Sequence, residues 1–156
     1  MPSALPILIL KTGSTHPHIR EQLGDFEDWI AAGLRDGGAA VVVHDASAGD
    51  APPPAHGAVA GVVITGSHAM VSEREAWSEA LVPWLARLVA QGTPVLGICY
   101  GHQLLAHALG GEVGYHPQGI ELGTVPVSLH EAAQDDPLFA GLPTQFDAQA
   151  AHRQSV

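Results

Sequence analysis

Residues 95–103 read VLGICYGHQ, an apolar run that ends in the chain's only cysteine, Cys99, with Gly97 and Gly101 two places to either side. A buried structural thiol needs no flanking glycines, and a disulfide needs a second cysteine. The run before Cys99 has the length of a strand. The residues from Gly101 to Leu109 read as a helix that stops at Gly110-Gly111. Strand, sharp turn, cysteine, helix is thus the local reading, which makes G-x-C-x-G the thiol counterpart of the G-x-S-x-G nucleophile elbow.

Working outward, PVLGIC at 94–99 is one of four short apolar runs; the others are LPILIL at 5–10, AAVVVH at 39–44 and AVAGVVIT at 58–65. They are continuous rather than alternating, as suits strands buried on both faces of a parallel sheet. Between them Ile19, Leu23, Phe26, Ile30 and Leu34 recur every three or four residues, the apolar stripe of one amphipathic helix with Pro17 near its first turn. Ser72-Glu73-Arg74-Glu75 has capping-box spacing and opens a second helix through Trp77, Leu81, Trp84 and Leu88 to about Gln91. Pro83 predicts a kink or a split within it. The stretch at 46–57 reads as a surface loop. Beyond Tyr115 the pattern thins to strands at 124–129 and 144–148 with a short helical turn at 135–140. Alternating strands and helices give an α/β, doubly wound, mostly parallel sheet with helices on both faces, in one domain over residues 1–156.

Apolar residues make up 46% of the chain and charged ones 14%, a balance that favours a packed core over disorder. The formal charge of −10 repels phosphate backbones and anionic lipid, so neither nucleic acid nor membrane is the expected partner. A lone cysteine fits a reducing, cytoplasmic compartment. The ten histidines do not follow metal-site spacings, so no metal and no other cofactor is expected.

In an open α/β sheet, ligands bind at the carboxyl ends of the strands, where Cys99 falls. A helix N-terminus behind the thiol favours thiolate and offers free amides to a developing oxyanion. The competing reading is a buried core cysteine, common for this residue type. The paired glycines favour the nucleophile.

GICYGHQLLAHALGG at 97–111 resembles the nucleophile segment of the class I glutamine amidotransferases. ILIL at 7–10 is similar to that family's opening strand, GVVITGSHAMV at 61–71 to the strand and glycine turn facing the nucleophile, and PQGIELGTVPVSL at 117–129 to the next strand pair. The resemblance implies a flavodoxin-like sheet and the hydrolysis of glutamine's side-chain amide. Cys99 would form a γ-glutamyl thioester, the backbone amides of Gly66 and Tyr100 an oxyanion hole, and Gln103 a contact to glutamine. Ammonia would pass to a synthetase domain or subunit. The family pairs its cysteine with His-x-Glu in a late strand, and no His-x-Glu occurs here. His152 resembles an earlier family feature, not that histidine. The resemblance therefore implies a C-terminal part missing from these residues, with negligible turnover and self-association through uncovered sheet surface as expectations. Two other readings stay open: a γ-glutamyl hydrolase of the same fold, and an inactive binding or interaction domain.

Overall fold

The structure, a computed structural model, describes residues 5–49, 53–54 and 56–156. Asp50, Ala51, Pro52 and Ala55, part of the expected surface loop, lie outside the described residues. Two compact units form, one running through Gly114 and including Val156, the other spanning Tyr115–Ser155.

The first unit is built on four parallel strands, β1 (Ile7–Lys11), β2 (Val41–Asp45), β3 (Gly61–Ile64) and β4 (Val95–Gly97), in the order β2-β1-β3-β4. These are the four apolar runs. Helices α1 (Pro17–Leu23), α2 (Phe26–Asp36), α3 (Ala76–Glu79), α4 (Val82–Ala90) and α5 (Tyr100–Ala108) fill the connections. Leu8, Leu10, Val62 and Ile64 belong to one core with Leu81, Leu85 and Leu88 around α4 and Tyr100 and Leu104 of α5. The side chains between them along each strand turn to the opposite face, where α2 packs on β1 and β2 and buries Ala31. Each leucine buried in this way contributes on the order of 2 kcal/mol.

Continuous apolar character predicts burial on both faces, and β3 and most of β1 obey it. The edge strands do not: Val42, Val43 and Leu96 are 41%, 49% and 40% exposed. An edge strand has one neighbour, and the helices cover the middle of the sheet before its margins.

Two helical expectations are corrected. The stripe from Ile19 to Leu34 is two helices, broken where Gly24 takes φ 83° and Asp25 caps α2. The Asp25 side chain accepts from the α2 backbone while Asp28 accepts from the Asp25 amide, a capping box in which Asp replaces Ser and Glu. The second helix does not open at Ser72, which lies in a 3-10 turn at Val71–Glu73; α3 begins at Ala76, after Glu75. The split expected at Pro83 does occur: the helical stretch divides into α3 and α4, with Pro83 in the first turn of α4.

In the second unit β6 (Glu121–Ser128) and β7 (Gln145–His152) form an antiparallel ribbon, from Glu121 opposite His152 to Ser128 opposite Gln145. The short strands β5 (Gly114–Tyr115) and β8 (Gln154–Ser155) pair separately. No helix among the described residues is long and apolar enough to cross a membrane.

Candidate active site

The elbow after β4 is dictated by contacts that exclude side chains. A Cβ on Gly97 would lie 2.5 Å from the His102 amide nitrogen, and one on Gly101 would lie 2.5 Å from the Ile64 carbonyl oxygen. Both glycines are therefore required for α5 to start this close to β3 and β4. Between them Cys99 adopts φ 51° and ψ −108°, outside every region an L-residue visits freely. The only other non-glycine with positive φ among the described residues is Arg74. Ile98 donates its amide to the Ile64 carbonyl at 3.0 Å, which ties the elbow to the end of β3.

Cys99 is exposed. Protein packed around the sulfur nevertheless desolvates it enough to raise the thiol pKa above its ordinary value, and the Tyr100 amide, which donates to the sulfur, offsets only part of this. Proximity to the N-terminus of α5 thus does not by itself yield a thiolate. The Tyr100 side chain anchors the first turn of α5: it is buried, stacks on Trp77 at 5.8 Å between ring centres, and donates its hydroxyl to Ser78 Oγ at 2.7 Å.

Gly66 follows β3 after Thr65, and a Cβ placed on it would lie 3.8 Å from Cys99 Cβ. Gly66, Cys99 and Tyr100 therefore share one small region at the carboxyl ends of β3 and β4. Gln103 is one turn into α5, its side chain buried and its amide donating to the Cys99 carbonyl at 3.1 Å. His152 belongs to the second unit. There its Nε2 meets Glu121 Oε2 at 2.6 Å and its Nδ1 meets the Gln154 carbonyl at 3.0 Å, so both ring nitrogens are engaged.

Residues that the motif reading passed over also shape the site. Thr12 and Thr65, 1% and 0% exposed, are hydrogen-bonded to each other beside Gly66. The signal was available in the repeated tripeptide Thr-Gly-Ser, at 12–14 after β1 and at 65–67 after β3.

A sequence model of the family described as glutamine amidotransferase class-I matches residues 21–156. The chain belongs to that family. The GMP synthase [glutamine-hydrolyzing] of Aeropyrum pernix is 37% identical over 133 residues, which cover 85% of this chain and 24% of that protein. The corresponding protein of Thermomicrobium roseum is 45% identical over 92 residues, covering 59% of this chain and 16% of the relative. The chain thus spans a quarter or less of these curated relatives. A glutamine amidotransferase structure from Methylobacillus flagellatus superimposes with a TM-score of 0.74 at 25% identity, covering 98% of this chain and 57% of the other. One from Thermotoga maritima shares the fold, with a TM-score of 0.76 at 19% identity over 98% of this chain and 63% of its own. Among class I amidotransferases, then, this chain carries the parallel sheet and the cysteine elbow.

Proposed function

We propose that Cys99 is the nucleophile of a glutaminase reaction. Its sulfur attacks the side-chain amide carbon of glutamine, and the resulting oxyanion is held by the amides of Tyr100 and Gly66. Ammonia then leaves with a proton, and water releases glutamate from the γ-glutamyl thioester. Gln103 shapes the glutamine pocket from the first turn of α5. The observation that carries this reading is the strained backbone of Cys99, φ 51°, set between two glycines that admit no side chain and beside Gly66. Strain at one exposed thiol has no packing purpose.

The raised thiol pKa means that a base must take the proton during attack. These 156 residues hold no His-x-Glu pair, and both nitrogens of His152 are already engaged. Without that help, acylation and thioester release slow by roughly 10²- to 10⁴-fold. The 156-residue polypeptide accordingly has negligible steady-state turnover. By analogy with relatives named as GMP synthases, the released ammonia goes to a synthetase domain or subunit in the cytoplasm.

Ammonia release from glutamine, measured on the complete gene product and its Cys99→Ser variant, tests the reading. A glutamine-like electrophile should label Cys99 alone. Undiminished ammonia release from the serine variant overturns the assignment.

A further inference from the structure

The turns after β1 and β3 carry the same tripeptide, Thr12-Gly13-Ser14 and Thr65-Gly66-Ser67, and they pack directly on each other. A Cβ on Gly13 would fall 2.5 Å from Ser67 Oγ and 2.9 Å from Ser67 Cα. In the ladder below them Leu10 lies opposite Ile64, and the last regular rung runs from the Thr65 amide to the Leu10 carbonyl at 3.1 Å. A regular parallel continuation would send the Thr12 amide to the Thr65 carbonyl. Two hydroxyls are inserted instead. The Thr12 amide donates to Thr65 Oγ1 at 3.0 Å, and Thr12 Oγ1 donates to the Thr65 carbonyl at 2.8 Å.

Each hydroxyl has one proton to give, and a consistent assignment uses both. Thr12 spends its proton on the shorter contact, the Thr65 carbonyl, rather than on the Gly66 carbonyl at 3.3 Å. Thr65 Oγ1 accepts from the Thr12 amide and donates to the Gly66 carbonyl at 3.0 Å. Both peptide planes flanking Gly66 are thereby pinned through their oxygens. A trans peptide is planar, so fixing the Thr65 carbonyl also fixes the Gly66 N–H on the opposite side. Both threonines are buried.

We propose that Thr12 is a positioning residue for the oxyanion site: its hydroxyl, acting through the Thr65 carbonyl, sets the direction of the Gly66 N–H. The inference rests on the proposed glutaminase reading of Gly66. It predicts a particular kinetic pattern, because an oxyanion exists only after attack. Misaiming its donor slows the chemical step and leaves glutamine binding intact.

The test compares wild type, Thr12→Val and Thr12→Ser in the complete gene product labelled with ¹⁵N-glycine. Valine keeps the shape without the hydroxyl, and serine keeps the hydroxyl without the methyl. For Thr12→Val, kcat for ammonia release should fall roughly tenfold or more, short of the ~10²–10³-fold cost of deleting a donor outright. KM for glutamine should stay within about twofold. The Gly66 amide resonance should move in the valine variant and return in the serine variant together with kcat, while alkylation of Cys99 by iodoacetamide stays unchanged. A valine variant with wild-type kcat and an unmoved Gly66 resonance overturns the proposal, as does a serine variant as slow as valine. If the wild type releases no ammonia from glutamine, the glutaminase reading fails, and the Gly66 resonance alone then decides whether the clamp exists. Should Thr12→Val not fold, Thr12→Ala takes its place with the same expectations.

Discussion

Two turns meet at the carboxyl end of this sheet, and they are held by opposite means. The turn after β4 is fixed by missing atoms: Gly97 and Gly101 leave no room for a Cβ, and the chain is forced through a strained Cys99. The turn after β3 also packs closely, against Gly13, but the peptide planes around Gly66 are set by added atoms, the hydroxyls of Thr12 and Thr65 inserted where the backbone ladder stops. Steric exclusion accepts only glycine, so it leaves a mark in any sequence that uses it. A hydrogen-bonded clamp uses threonine, which strands favour anyway, so it leaves almost none.

The largest effect expected concerns chemistry at the first turn. Cys99→Ser should lower ammonia release from the complete gene product below detection while leaving the fold intact, since the swap changes one atom on an exposed residue. Next in size is the steric claim itself. Gly101→Ala would place a methyl 2.5 Å from the Ile64 carbonyl oxygen and 2.7 Å from Ile64 Cβ, both in the core of the sheet. Overpacking a filled site costs roughly 1–3 kcal/mol, occasionally more, and a backbone obstacle has little freedom to move aside. Urea denaturation of the purified variant should show that loss or no folded protein at all. A Gly101→Ala variant as stable as wild type would mean that the elbow is not held by exclusion.

This contrast also explains how much could be read in advance. The parallel sheet was legible because its four strands are apolar throughout, although Val42, Val43 and Leu96 show that apolar character marks a strand without guaranteeing its burial. The break between α1 and α2 was hidden because the apolar spacing runs on across Gly24 and Asp25, and Asp28 is a less familiar partner for a capping box. The β6–β7 ribbon outruns the expected strands at one end only, reaching Glu121 and His152, and stops one residue inside them at the other, at Ser128 and Gln145; Gly123 and Pro126 lie within β6. They are tolerated because a two-stranded ribbon leaves an outer edge on each strand, where no ladder bond is lost. At the site, the glycines around Cys99 announced the elbow. Thr12 and Thr65 left only the repeated Thr-Gly-Ser tripeptide, whose meaning depends on which strand lies beside which.

The third prediction separates the turns by pH. The loop after β1 that packs on the β3 turn is anchored by Asp25, whose carboxylate accepts from the Thr15 amide at 2.7 Å and from Lys11 Nζ at 2.9 Å. Burial alone would raise the pKa of Asp25, but the Thr15 amide, Lys11 and the Phe26 amide more than reverse this and hold it well below the usual carboxylate range. Burial would likewise lower the pKa of Lys11, and its bonds to Glu27 and Asp25 carry it above 10.5 instead. A depressed acid stabilises the fold above its unfolded pKa, about 3.9 for aspartate, and loses that contribution as pH falls through the folded value. A raised lysine stabilises below 10.5 and loses its contribution as pH rises through its folded value. Both contributions are complete at neutral pH. Asp25→Asn should therefore cost stability at pH 7, by less than the ~3–5 kcal/mol of an isolated buried pair because Glu27 remains on Lys11. The gap to wild type should close as the pH is taken below about 4. Denaturation midpoints across that range check it, and a gap that stays constant with pH would remove Asp25 from the account.

The smallest effect, and the sharpest test of the comparison, belongs to Gly66. If the β3 turn is held by hydroxyls and not by exclusion, its glycine should accept a methyl that Gly97 and Gly101 refuse. The nearest atom to a Cβ on Gly66 is Cys99 Cβ at 3.8 Å, an ordinary van der Waals distance. Gly66 is also absent from the glycines with positive φ, so no left-handed backbone reserves the position for glycine. Replacing glycine by alanine at such a position restricts the unfolded chain and stabilises by roughly 0.4–1 kcal/mol. Gly66→Ala should thus melt at or slightly above the wild-type temperature, in contrast to Gly101→Ala. A Gly66→Ala variant that loses stability on the scale expected for Gly101→Ala would show that the two turns are built alike, and that the threonine hydroxyls are not what holds the second one.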